Sequence, residues 1–555
     1  MQYQNIYRLF KAQTAKYHGA TVFYERFEDK WSEWKWFEFA DEVHNFACAL
    51  LASGLTKGAA VAILAGNLPE WTIADIGTIA AGGIGVGIYP TSSAEQCSYI
   101  INHSDAEFVV VDTEIQLKKI LAVRSQIPNV KKIVVIDNNR VIEQEDISTF
   151  EEFQALGHMN FGKFRNYIEN LGDEIKSEDI AIMVYTSGTT GQPKGAMLSH
   201  QYVLNSVESL KNSVPIFAAD VSFSYLPGCH VAERISGIYN RLYNGTPAHF
   251  VDDLTKLYAY MLEVRPTVFA SLPRFFEKIY AKVVSEFGCD ASEQDLKDAF
   301  GGNVRLLTSG GAPLPNEIAA FFAARNLPIL QAYGLTENIC VAFNTVENLK
   351  FGTVGKAMPM CEIKIAGDGE ILVKSPMTFS GYYKEAKQTA AMFDENGWLK
   401  TGDLGELDRE GFLKITGRKK EIIVLSSGKN VAPALLENLV KVNHLVSQCF
   451  VSGDNRSYCV ALITLNQTEA EAFARANEIE FENFAGLTKN ERISASVEAA
   501  ISKANAKLSS PEQIKKFVIL ERDFSLEKDE ITPTLKLKRS VVSERFQKEI
   551  EHLYD

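Results

Sequence analysis

"EDIAIMVYTSGTTGQPKGAMLSH", residues 178–200, is the stretch whose reading decides the fold. Its apolar run, Ile180 to Tyr185, reads as a buried strand. The strand leads directly into a loop of hydroxyls and glycines. Glycines let backbone approach a ligand closely, and the resulting amides and Thr/Ser hydroxyls are donors suited to phosphate oxygens. Lys194 adds a point charge. The loop is not the GxxxxGK[ST] pattern. Lys194 follows a proline and precedes Gly195 and Ala196, so a metal-binding hydroxyl is missing from its usual place. A flexible linker is the competing reading, but a loop that leaves a buried strand among glycine-rich turns argues against it.

The same texture extends outward on both sides. "AAVAILAGN" (59–67), "EFVVVD" (107–112) and "KKIVVID" (131–137) read as buried strands separated by segments of helical length. Further on, "PTVFASLP", "VRLLTSGG" and "LPILQAYG" repeat the pattern. Between the last two, "PNEIAAFFAARN" (315–326) has proline at a helix start and apolar residues at helical spacing. Near-continuous apolar strands alternating with helices predict an α/β protein whose large N-terminal domain is built of helix-covered, mostly parallel sheets. Near residue 400 the sequence turns to short strands and turns. After "GRKKE" comes a smaller unit, with a helix from Pro433 and a hairpin turned by Gly453, Asp454 and Asn455. The expected division is 1–417, a hinge at 418–420, and a small mobile α+β C-terminal domain at 421–555.

Composition narrows the function. With 555 residues, 46% of them hydrophobic, the chain exceeds one compact unit. A net charge of -13 argues against general nucleic-acid binding, which needs clustered Lys and Arg. The eight cysteines form no CxxC pair and no zinc spacing, so they read as reduced, mostly buried thiols of a cytoplasmic protein. "MQYQNIYRLFKAQ" has no apolar signal region. "IADIGTIAAGGIGVGIYP" (73–90) carries Asp75 and ends at a proline; it reads as a buried helix running into a strand rather than a membrane span.

The loop "YTSGTTGQPKGAMLSH" resembles the signature of the adenylate-forming superfamily, which holds acyl-CoA synthetases, luciferase-like enzymes and peptide-synthetase adenylation domains. "QAYGLTEN" (331–338), "WLKTGDLGELDREGFLKITGRKKEII" (398–423) and "ITPTLKLKR" (531–539) follow in the family's order. "LPGCHVAERISG", "GIYPTSSAEQCSYIINHSDAEFVVV" and the "TPTLKLKR" ending look most like the long-chain fatty acid–CoA ligase branch. The resemblance implies ATP-dependent activation of a fatty acid as acyl-AMP, with release of pyrophosphate and then transfer to CoA. The alternatives are an acyl-AMP ligase that loads a carrier protein, and a non-catalytic nucleotide- or acyl-binding module. Long acyl chains partition into bilayers, so a peripheral membrane contact stays open, as do oligomeric state and acyl chain length.

The resemblance also implies roles for particular residues. Thr186, Ser187, Gly188, Thr189, Thr190, Gly191 and Lys194 would hold the β- and γ-phosphates of ATP. Tyr333 would stack on adenine, with Gly334 beside it, and Gly311 and Ala312 would let backbone approach the purine. Thr336 would contact the α-phosphate region. Glu337 would bind Mg²⁺, because a carboxylate beside phosphates is favourable only through a metal. Asp403 would accept from the ribose hydroxyls and Arg418 would reach ribose or phosphate. His230 would position the acyl carboxylate, which is already ionised at pH 7, whereas Glu233 and Arg234 read as a helix ion pair. Lys420 would be the hinge that separates the two half-reactions. "LSSGKNVAP" would come near the active site only in the second placement of the small domain, and Lys429-Asn430 leaves its CoA contacts open. The lysine that completes adenylation is Lys538 or Lys536. The interval from Thr534 favours Lys538, although in an extended strand both lysines would share one face.

Overall fold

A computed structural model describes residues 2–137, 144–186, 192–532 and 536–555. Among these residues, the largest sheet runs Gly381–Tyr382, Lys194–Ser199, Ile180–Thr186, Ile84–Ile88, Ala60–Leu64, Ala106–Val111, Lys132–Val135, Ile147–Thr149. From Ile180–Thr186 onward its neighbours are parallel; Lys194–Ser199 and Gly381–Tyr382 add antiparallel strands at one edge. The apolar runs are continuous because both faces are covered. In Ala60–Leu64, Val61 and Ile63 join one core cluster, and Ala60, Ala62 and Leu64 join another. The first face is covered by the helices Trp36–Ala52 and Phe150–Glu174. They approach closely because residue 157 is glycine: a Cβ there would collide with the Asn45 carbonyl.

A second sheet sets three parallel strands side by side, Val268–Ser271, Leu306–Ser309 and Ile329–Leu335, before reversing through Asn338–Phe343 and Lys356–Ala357. Asn316–Ala323 is the helix expected before the third strand, with Pro315 just ahead of it. The region near residue 400 forms an antiparallel sheet, Glu362–Ile365, Glu370–Lys374, Leu399–Leu407 and Leu413–Arg418.

Past this sheet the hydrophobic core changes. The buried clusters of the N-terminal part end at Leu413, and those of the C-terminal part begin at Ile423. The C-terminal part centres on Val446–Ser452, Cys459–Leu465 and Ile514–Ile519. Its hairpin turns where expected, with Asn455 at φ 57°. The helix of residues 73–80 belongs to Pro69–Ala80 and runs into the strand Ile84–Ile88, as its glycines and Asp75 predict. No helix among the described residues is long and apolar enough to cross a membrane. All eight cysteines are free, and only Cys289 is exposed.

Candidate active site

Ile180–Thr186 and Lys194–Ser199 form a hairpin in which Thr186 lies opposite Lys194. Ser187, Gly188, Thr189, Thr190 and Gly191 lie outside the described residues. The hairpin therefore delivers both ends of the hydroxyl-rich loop to one edge of the large sheet. Lys194 sits 5.3 Å over the ring of Tyr382, whose backbone pairs with Ala196. The Tyr382 hydroxyl donates to the Glu337 carboxylate. Thus Lys194 and Glu337, more than a hundred residues apart, face each other across one tyrosine.

Glu337 is held at a tight reversal between Ile329–Leu335 and Asn338–Phe343, where Leu335 pairs with Asn338. Gly334 is required there, since a Cβ would run into the Ile339 carbonyl. The fully buried Tyr202 bolts the turn: its hydroxyl donates to the Thr336 carbonyl and accepts from the Ile339 amide, both at 3.0 Å. The Phe379 amide donates to the Glu337 carbonyl at 2.8 Å. Glu337 is thus partly buried and directed by its neighbours, not a solvated residue on a loose turn.

At the same end of the second sheet, Tyr333 donates to Asp403 Oδ2 at 2.7 Å, and Arg418 Nε donates to Asp403 Oδ1 at 2.9 Å. Burial, with Asp403 adding to it, pushes the Tyr333 phenol well above its ordinary pKa, so it stays a donor. Each Asp403 oxygen keeps a second lone pair for a ligand hydroxyl. Gly311 (φ 78°) and Ala312 follow Leu306–Ser309, the parallel neighbour of the Tyr333 strand, and both are exposed. This is the carboxyl end of parallel strands, where open α/β sheets bind ligands.

His230 begins the segment leading into a π-helical stretch, Ala232–Tyr239. Its Nδ1 accepts from the Ala232 amide at 3.1 Å, which leaves the proton of the neutral ring on Nε2. Burial, with help from Lys536, depresses its pKa to about 4. At neutral pH it is an uncharged donor and a weak base. Glu233 and Arg234 do not pair with each other. Arg234 is buried against Asp75, with the Tyr239 hydroxyl donating to Asp75 at 2.7 Å, whereas Glu233 pairs with Arg241 and accepts from Ser224. Adjacent residues in the helix point in different directions, so each found a distant partner. Residue 85 is glycine because a Cβ there would strike both Asp75 and Arg234.

The two candidate lysines diverge. Leu537 bridges back to Ile531, and the helix Arg539–Arg545 starts immediately after Lys538. Lys538 donates its amide to the Glu530 carbonyl and pairs with Asp529, within the C-terminal part. Lys536 instead interacts electrostatically with Arg418, Asp403 and His230 of the N-terminal part. Water still reaches it, but the surrounding protein lowers its pKa, helped by Arg418 and opposed by Asp403 and Glu421. Lys420 is exposed. Its neighbour Lys419 is tethered to Asp368 and Glu370, while Val424 is tied to Asp454 and Asn455 of the small unit. The loop of residues 426–430 faces solvent.

Residues 10–383 match a family model described as AMP-binding enzyme, and residues 420–555 match the C-terminal domain of the same enzymes. The chain belongs to the AMP-binding enzyme family. This AMP-binding enzyme is 32% identical to the long-chain-fatty-acid–CoA ligase FadD15 of Mycobacterium bovis, over 96% of its length and 94% of the relative's. It is 31% identical to human long-chain-fatty-acid–CoA ligase ACSBG1, over 99% and 85%. Among solved structures, the AMP-bound adenylation domain of a carboxylic acid reductase from Segniliparus rugosus superposes with a TM-score of 0.81 at 21% identity, covering 99% of this chain and 94% of that one. The fold of the AMP-binding enzyme is therefore that of the adenylation domains. Tyr382, Tyr202 and the Asp75–Arg234 pair escaped sequence reading. Only the "SGYY" run, with its glycine before two tyrosines, hinted at the first.

Proposed function

We propose that this enzyme activates a long-chain fatty acid with ATP and then transfers the acyl group to CoA. The observation that carries the proposal is the convergence of Lys194, Glu337, Asp403–Arg418 and His230 with a lysine from the C-terminal part. Near-full-length similarity to proteins named long-chain-fatty-acid–CoA ligases supports the choice of acid and acceptor.

In the first step, a carboxylate oxygen attacks the α-phosphorus and the bond to pyrophosphate breaks. Charge builds on the phosphoryl oxygens, where Lys194 and Lys536 lie to offset it. His230 donates from Nε2 to the acyl carboxylate and fixes its direction of attack. No proton needs abstraction. Asp403 takes the ribose hydroxyls, and Tyr333 packs beside the base. Among the described residues, no group of three or more His, Cys, Asp or Glu side chains can hold a metal alone. A magnesium ion carried on a triphosphate needs only one or two carboxylates, which suits the single, oriented Glu337. When bound, it would supply charge neutralisation at the phosphates. In the second step the CoA thiol gives up its proton to solvent, its sulfur bonds to the acyl carbon, and the acyl–phosphate C–O bond breaks to release AMP.

Fatty acid-dependent ATP–pyrophosphate exchange, followed by thioester formation with free CoA, tests this reading. Exchange without thioester on free CoA would favour a carrier-protein acceptor, and absence of exchange would favour a binding module.

Lys420 is the proposed pivot between the two steps, supported by its position between the tethered Lys419 and the small unit's own core. Lys420→Pro fixes φ near -65° and removes an amide. The expected result is thioester formation slowed at least roughly tenfold more than adenylation, because only the second step needs the new placement. Single-turnover measurement of each half-reaction checks it; equal slowing places the pivot elsewhere.

A further inference from the structure

We infer that Tyr382 is a positioning residue for adenylation: its hydroxyl aims the Glu337 carboxylate while its ring seats the Lys194 ammonium. The inference rests on the proposed roles of Glu337 and Lys194 and adds the device that sets the space between them. Opposite charges on mobile side chains would close on each other and fill the place meant for phosphates. Here they do not close: among the described residues Lys194 has no carboxylate within ion-pair distance, and the Tyr382 ring lies under its ammonium at 5.3 Å. Ring faces attract cations without neutralising them. The charge of Lys194 stays available to a ligand.

The tyrosine can do this because its backbone is immobilised from three sides. Ser380 and Tyr383 amides donate to the Met197 and Gly195 carbonyls at 2.9 and 2.8 Å, which fastens the strand to the loop hairpin. The Tyr382 amide donates to Thr389 Oγ1 at 2.8 Å, and Gly381, at φ 120°, allows the bend beside Thr389. Phe379 then reaches the other partner, donating its amide to the Glu337 carbonyl and packing edge-on to Tyr382 at 4.8 Å. Residues 379–383 are therefore a strap between the hairpin that carries Lys194 and the turn that carries Glu337. Packing alone does not call for the hydroxyl. Tyr382 is buried, and phenylalanine would fill the same space; the hydroxyl serves Glu337.

Tyr382→Phe keeps the ring and removes the hydroxyl, and Tyr382→Leu removes both. Partners that orient a metal ligand are worth roughly 10–100-fold in metal affinity. In pyrophosphate exchange, Tyr382→Phe is expected to raise the Mg²⁺ concentration for half-maximal rate roughly tenfold, with the rate at saturating Mg²⁺ largely restored. Binding of Mn²⁺ with a non-hydrolysable ATP analogue, followed by water proton relaxation, should weaken in parallel without turnover. Conversion of supplied acyl-AMP and CoA to thioester should stay at the wild-type rate. Tyr382→Leu should show the same metal defect plus a raised KM for ATP. Wild-type Mg²⁺ dependence in Tyr382→Phe overturns the inference, as does a thioester half-reaction that falls in step with adenylation, the mark of general damage. Glu337→Gln in the same assay separates the layers. Loss of metal binding there with none in Tyr382→Phe overturns the positioning role alone; unchanged metal binding in Glu337→Gln overturns the metal role of Glu337 and the inference with it.

Discussion

Glu337→Gln is expected to lower fatty acid-dependent pyrophosphate exchange by more than about a hundredfold, the rate equivalent of losing one strong transition-state electrostatic contact of roughly 3 kcal/mol. The substitution is nearly isosteric, and the turn does not depend on the charge. Gly334, the Tyr202 hydroxyl and the Phe379 amide hold the backbone of residues 334–339 whatever the side chain. The amide oxygen of Gln can still accept from Tyr382. What is lost is the negative charge beside the triphosphate, and with it the reason for a divalent cation to bridge protein and phosphates. An unchanged unfolding midpoint alongside lost exchange assigns the effect to chemistry. Near-normal exchange at modest Mg²⁺ would show that the carboxylate faces the ligand without a metal role.

The parts of this molecule legible in its sequence are those fixed by local pattern. Ile180–Thr186 and Ala60–Leu64 were readable because strands covered on both faces are apolar at every position, whatever their neighbours. The hairpin at Asn455 was readable because its left-handed backbone restricts residue type. Arg234 was misread for the opposite reason. The pattern offered Glu233 as a neighbour, but the buried partner, Asp75, lies 159 positions away and is brought near only by the sheet. Tyr382 reaches Glu337 across 45 positions by the same route. Such contacts follow from strand order, which no local window contains. The loop that marks the family stayed partly out of reach from the other side, since residues 187–191 lie outside the described structure and their phosphate role rests on resemblance.

Lys536→Ala is expected to lose adenylation by roughly a hundredfold or more while still converting supplied acyl-AMP and CoA to thioester; Lys538→Ala should keep both half-reactions. Counting from Thr534 favoured Lys538; we propose Lys536 instead, on the contacts each lysine makes. Lys538 is committed within its own domain, to Asp529 through its side chain and to Glu530 through its backbone, and it sits at the head of the helix Arg539–Arg545. To reach a ligand it would have to abandon both contacts. Lys536 is tied to Thr532, its amide donating to Thr532 Oγ1 at 3.1 Å and its carbonyl accepting from the Thr532 amide at 2.8 Å. Its charge acts on Arg418, Asp403 and His230. An ammonium whose pKa is lowered by the protein around it and by a neighbouring guanidinium is short of negative charge, and an incoming carboxylate and α-phosphate would supply it. Binding should therefore raise the Lys536 pKa, and charge developing in the transition state should strengthen the contact further. With the proposed pivot at Lys420, the second half-reaction would proceed in another domain placement with this lysine withdrawn, so thioester formation from acyl-AMP is expected to be spared. Measuring both half-reactions in both variants decides the matter. Normal adenylation in Lys536→Ala with loss in Lys538→Ala would mean that the helix start unwinds during catalysis, and normal adenylation in both would remove the C-terminal lysine from the first step.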